Sequence, residues 1–189
     1  MVRAVFRLSE TDSRRSNRLS VERSGRNPLT EALGIVLEGV TFYDLAHLAV
    51  ADTRVKSTFE DLGRLKRSQL ARLEAATGPN ARAAVQSPKI YPLDVVEKVE
   101  CYVCGHIADT RSMPSVCPSC GAARYSFEKE IALSKAWEIA GEAARKSSGR
   151  FRDLADHASG SGKALLSDLA KEDDGLAAQA DAHATELRT

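Results

Sequence analysis

From position 29 onward, apolar residues recur at intervals of three and four, the spacing of one face of an α-helix. Leu29, Leu33, Val36, Val40, Tyr43 and Val50 form one stripe with Glu31 and Glu38 opposite, which predicts a helix over about 28–50. Asn27-Pro28 supplies its start, a side-chain acceptor followed by a residue that has no N–H to satisfy. A second helix is predicted over about 53–76, with Val55, Phe59, Leu62 and Leu73 on its stripe and a stop at Gly78-Pro79. Lys66 and Gln69 stand in the middle of that apolar face. Residues 78–97 hold Pro79, Pro88 and Pro92 and read as a connector with a short helix near 81–86. The helical period returns over about 129–155, on Leu133, Trp137, Ala140, Ala144, Phe151 and Leu154. Gly160-Ser161-Gly162 reads as a turn, and a fourth helix over about 163–187 carries Leu166, Leu169, Asp173, Leu176, Ala180 and Leu187 inward. Two helix pairs joined by a long crossover predict a mainly α fold, a four-helix bundle.

Two stretches lack this period. Residues 1–27 carry seven arginines against Glu10, Asp12 and Glu22 and are predicted to be a disordered basic tail. Residues 98–127 read as a small β module inserted between the second and third helices, with short strands at Val99–Val103 and Arg124–Phe127. The domain reading is therefore a tail at 1–27, a first helix pair at 28–77, a connector at 78–97, the module at 98–127 and a second helix pair at 128–189.

Composition changes this picture little. Aromatic residues are only 5%, and alanine is frequent, which favours helices over a β-sandwich. A net charge of +1 with 28% charged residues points to neither nucleic acid nor membrane as a partner. No uninterrupted apolar run approaches the roughly 18–20 residues that span a bilayer. The stretch from Leu29 to Val50, with Glu31, Glu38 and Asp44 in it, reads as a core helix. No signal-peptide pattern is present, so the expected location is cytoplasmic. Gly-rich phosphate loops and Ser/His/Asp arrangements are absent from the sequence.

The chemistry is concentrated in the four cysteines. Cys101-x2-Cys104 and Cys117-x2-Cys120 each let two thiolates turn toward one ion, and a glycine follows each pair to permit the tight turn. Two such knuckles make a tetrahedral sulfur shell, suited to zinc or to a thiolate-bound iron. Disulfides are the alternative, but cysteines so close in the chain pair awkwardly.

Cys101-x2-Cys104-Gly105-His106-Ile107, then Met113-Pro114, then Cys117-Pro118-Ser119-Cys120 and Phe127, resembles the rubredoxin-type iron centre of the rubrerythrin family. The helices, with their Phe-Tyr and Leu-Ala landmarks, are similar to the ferritin-like half of that family. The resemblance implies a one-iron centre in four cysteines feeding electrons to a di-iron site in the bundle, and a link to peroxide chemistry. It also implies that the module lies at one end, whereas here it lies between helix pairs. The family's di-iron site needs a glutamate on each of two helices and a Glu-x-x-His on each of the others. No Glu-x-x-His occurs here, and the nearest form is Asp44-x-x-His47 on the first helix. Aligned by the landmarks, the six ligand positions fall on Val36, Lys66, Gln69, Ala144, Asp173 and Leu176. A di-iron centre is therefore not expected, nor any catalytic residue belonging to it.

Lys66 and Asp173 both interrupt apolar faces, and burying either charge alone is costly. They are expected to form a buried salt bridge with Gln69 beside it, filling the vacated site. His106 is expected at the surface near the metal without binding it, and His47, His157 and His183 as ordinary residues on helices rather than ligands. The functional expectation is one-electron transfer to or from a partner protein through one iron. The alternative is a structural zinc knuckle on a degenerate ferritin-like scaffold. A chain of this type also leaves room for a homodimer.

Overall fold

A computed structural model describes residues 27–78 and 80–187, so the predicted basic tail, save Asn27, lies outside the described residues. The fold is mainly helical, with one small antiparallel sheet. In chain order the elements are helix α1 (Pro28–Ala49), α2 (Thr53–Thr77), a 3₁₀ turn (Ala81–Ala84) and the short α3 (Leu93–Glu97). Strands β1 (Lys98–Glu100) and β2 (Ile107–Asp109) follow, then α4 (Leu133–Asp156) and α5 (Gly160–Glu186). The Asn27 side chain accepts the Leu29 N–H at 3.0 Å, and Asp52 accepts the N–H groups of Arg54 and Val55 at 2.8 and 3.4 Å. These caps satisfy helix donors that have no partner within the helix.

Short turns make α1–α2 and α4–α5 two helical hairpins, and side chains fix how the hairpins meet. Arg150 near the end of α4 pairs with Glu31 near the start of α1. Leu29 at that same end of α1 lies against Gly162 at the start of α5. Helix α1 therefore runs antiparallel to α4 and parallel to α5, and the chain between α2 and α4 returns along the length of the helices. All four enclose a shared core. At one end Phe42, Tyr43, Phe59 and Tyr91 pack together, edge-on or tilted, with ring centroids 5.3 to 6.3 Å apart, and Ala140, Ala144 and Leu176 pack on them. At the other, Leu33, Val36, Leu73, Phe151, Leu166 and Leu169 close together.

Several expectations are corrected. The second strand is β2, immediately after the first knuckle, and not Arg124–Phe127, where Arg124–Ser126 is a 3₁₀ turn and Phe127 makes a single bridge to Cys101. The knuckle turn doubles the chain back, so its own two arms pair, Val99 opposite Ala108. Helix α4 begins at Leu133 rather than near 129, because Lys129 is held extended in a bridge to Val50, its N–H donating to the Ala49 carbonyl at 2.8 Å. Helix α5 already includes Gly160-Ser161-Gly162, and Leu187 is exposed just beyond its end, while Ala184 takes the inward place. By length and composition α1 is apolar enough to cross a membrane, although no uninterrupted run showed this, and most of that stretch is buried within the protein.

Helix α1 is buried nearly all round, and Glu38 is the main surprise. The alternation put it on the outer face, yet it is only 5% exposed. The connector covers it: its carboxylate accepts the Ser87 hydroxyl at 2.6 Å and the N–H groups of Lys89 and Tyr91 at 2.8 and 2.7 Å. The close approach needs glycine on either side. A Cβ on Gly34 would stand 2.6 Å from the Gln86 carbonyl oxygen, and one on Gly39 would stand 2.8 Å from the Tyr91 ring. Gly34→Ala, pressing on backbone that cannot swing aside, is expected to destabilise the protein by about 1–3 kcal/mol. Urea unfolding measures it, and an unchanged midpoint would mean that the connector does not pack there.

Candidate metal centre

Each knuckle is built the same way. The Cys101 N–H donates to the His106 carbonyl at 2.8 Å, and the Gly105 N–H returns to the Cys101 carbonyl at 2.8 Å. In the second, the Cys117 N–H donates to the Ala122 carbonyl at 2.7 Å and the Gly121 N–H to the Cys117 carbonyl at 2.8 Å. Gly105 and Gly121 have φ of 75° and 74°, a region that costs other residues strain. The turns aim backbone N–H groups at sulfur: those of Val103 and Cys104 at Cys101, that of His106 at Cys104, and that of Ala122 at Cys120. Such bonds stabilise thiolates.

The four sulfurs lie within 4.8 Å of one another, with Cys104–Cys117 at 3.6 Å and Cys101–Cys120 at 3.9 Å. None is in a disulfide. A tetrahedron of metal–sulfur bonds near 2.3 Å has edges of about 3.8 Å, so the shell already has the size a single zinc or iron requires. Electrostatics agree with a cation. The Ser126 hydroxyl, 3.4 Å away, is the largest of the influences that lower the Cys101 thiol to about 6. Cys104 is pushed up to about 12: the His106 N–H favours its thiolate, but the sulfurs of Cys120, Cys117 and Cys101, together with burial, hold its proton on. Four thiolates this close need a positive ion to share.

Cys101 and Cys117 are buried with Ala49, Val99 and Phe127, so the end of α1 is part of the module's core. Cys104 and Cys120 face solvent. Around them stand Tyr102, Val103, Ile107, Val116 and Tyr125, each more than half exposed, an unusual concentration of apolar surface for so small a module. His106 bridges the knuckles through Ser119 Oγ at 3.1 Å and sets its ring edge-on to Phe127.

The expected buried ion pair is present. Lys66 Nζ, on α2, lies 2.7 and 2.8 Å from the Asp173 oxygens on α5 and 2.9 Å from Gln69 Oε1, which uses all three ammonium donors. Gln69 Nε2 donates to Asp173 Oδ1 at 2.9 Å. Lys66, Gln69 and Asp173 are all 0% exposed. The network reaches the surface through Glu172, which accepts from Gln69 at 3.2 Å and from Arg72 at 2.5 Å. Of the other positions aligned to metal ligands, Ala144 and Leu176 pack into the aromatic end of the core and Val36 into the opposite end. Asp44 is engaged with Arg67 and His47 with the Lys56 carbonyl, while His157 takes the Asp153 carbonyl and His183 stacks on Trp137 at 4.5 Å. Among the described residues, the cysteines are the one cluster of metal-binding side chains. Sequence reasoning missed Glu172, Arg72, Ser126 and the buried role of Glu38. For Glu38 a signal existed in the glycines at 34 and 39, small residues where a second stretch of backbone comes close.

Compared with known families, residues 100–128 match the rubredoxin-like domain of rubrerythrin. No curated protein and no solved structure matches the chain.

Proposed function

We propose that this protein holds one iron ion in Cys101, Cys104, Cys117 and Cys120 and passes single electrons to or from a partner protein, with no di-iron peroxidase site of its own. The observation that carries the reading is the shell itself, four sulfurs of metal-site dimensions in a segment that matches a rubredoxin-like domain. Iron in four thiolates changes oxidation state with little change of shape, and N–H groups aimed at sulfur help to set its potential. Two ligand sulfurs open to solvent within an apolar collar suit a brief encounter with a redox protein.

The helical part is read as a ferritin-like bundle that has given up its metals. Two antiparallel hairpins joined by a full-length crossover are in keeping with that architecture. At the aligned positions a lysine occupies the place of a cation and an aspartate neutralises it. A second reading, a zinc ion that only folds the module, draws on the module's own core. That core is a handful of side chains, few for a unit that must fold unaided.

The metal content and visible spectrum of the freshly purified protein separate these readings. One iron per chain, red when oxidised and bleached by dithionite, is the expected outcome. One zinc and no colour would remove electron transfer and leave the structural reading. More than one iron per chain would contradict an empty bundle.

A further inference from the structure

The cysteine shell is uneven in its exposure, with Cys104 and Cys120 open to solvent and Cys101 and Cys117 buried. Sulfur–sulfur contacts of 3.6 and 3.9 Å run between the knuckles. Each of these pairs joins one solvent-facing thiol to one buried thiol: Cys104 with Cys117, and Cys120 with Cys101. A peroxide-sensitive dithiol has this form, an accessible sulfur for the oxidant and a sheltered resolving sulfur beside it. We propose that the centre is also a site of reversible oxidation by peroxides, closing into two cross-knuckle disulfides, Cys104–Cys117 and Cys101–Cys120, with loss of the metal.

The chemistry balances for each pair. The exposed sulfur attacks one peroxide oxygen, forming an S–O bond as the O–O bond breaks, and the departing oxygen leaves as water. The buried sulfur then attacks the resulting sulfenic sulfur, forming the S–S bond and expelling the second oxygen as water. Two thiols and one hydrogen peroxide become one disulfide and two waters, and the oxidant is reduced by the two electrons the sulfurs lose. A sulfur in a disulfide no longer carries the negative charge that holds a metal, so each closure removes two ligands. The pairing depends only on the placement of the thiols and holds whichever metal the shell carries.

Geometry selects this pairing over the local one. Within each knuckle one thiol is exposed and one buried, and backbone N–H groups hold the sulfurs of Cys101, Cys104 and Cys120 in their turns. Closing Cys101 on Cys104, or Cys117 on Cys120, would have to unwind that turn. Closing across the knuckles draws together arms that already face each other, and a disulfide needs only a modest approach from 3.6 or 3.9 Å to about 2 Å.

The full chain as purified, its metal content measured first, would be treated with stoichiometric hydrogen peroxide, blocked and digested with trypsin without reduction. Cleavage after Lys98, Arg111 and Arg124 separates the knuckles into peptides 99–111 and 112–124. The expected result is loss of all four free thiols, release of the metal to a chromogenic chelator, and one peptide pair linked 99–111 to 112–124. Reduction with dithiothreitol should restore both peptides and metal uptake. Two separate peptides, each lighter by two hydrogens, would mean closure within knuckles and would overturn the proposal, as would thiols that survive peroxide. Fragmentation of the linked pair in the mass spectrometer should place the bonds at Cys104–Cys117 and Cys101–Cys120; bonds at Cys101–Cys117 and Cys104–Cys120 would remove the exposed-with-buried assignment. Protein found free of metal would sink the metal reading of the preceding section, while the peptide map would still decide the pairing.

Discussion

Replacing Asp173 by leucine is expected to lower the unfolding free energy by about 3–5 kcal/mol, the cost of leaving an ammonium group buried without its counter-charge. Lys66 has nowhere to take its charge, since its side chain is 0% exposed and its remaining partner is a neutral amide. Guanidinium denaturation should show a lower midpoint at an unchanged slope. The informative comparison is the double variant Lys66→Met with Asp173→Leu. Removing both charges also removes the desolvation that each one suffers, so this protein should recover most of the loss and can exceed the parent in stability. A double variant as unstable as the single one would show that the polar contacts to Gln69, not the charge pairing, hold the helices in register.

Cys117→Ala is expected to have the second large effect, confined to one part of the molecule. The sulfur is buried with Cys101, Val99, Phe127 and Ala49, and three remaining thiolates make an incomplete shell. Binding of a structural metal contributes on the order of 10 kcal/mol to a small module of this kind, which is more than the module can lose and stay folded. Metal content should fall to none, and the amides of 98–129 should exchange with solvent freely. The far-UV helical signal should fall little, because the two hairpins close their core elsewhere. Amides that stay protected in the metal-free variant would mean that the module folds without an ion.

The features that could be read from the chain are those whose physics is local or costly to violate. Cysteine spacing reports directly on a shared ion, since two thiolates on one tight turn have few other uses. Lys66 and Asp173 were legible because a charge on an apolar stripe demands a partner, and each was the obvious partner of the other. Glu38 was misread for the complementary reason: helical period tells which side of α1 is polar, but not that a connector will lie over it. Strand β2 was placed wrongly because its three residues carry no alternation of their own. They pair because the knuckle turn delivers them to β1. The late start of α4 likewise depends on a bond between Lys129 and Ala49, far apart in the chain, which no local window contains.

That last bond has a mechanical consequence. A module at a chain end hangs from a single tether and can sweep through a wide volume to find what it must touch. This one is moored twice, entering directly from α3 through β1 and leaving along a segment stitched to the end of α1. With both moorings short, its outward sulfurs present one fixed heading, and any exchange of electrons or oxidant must be completed by a molecule that travels to them.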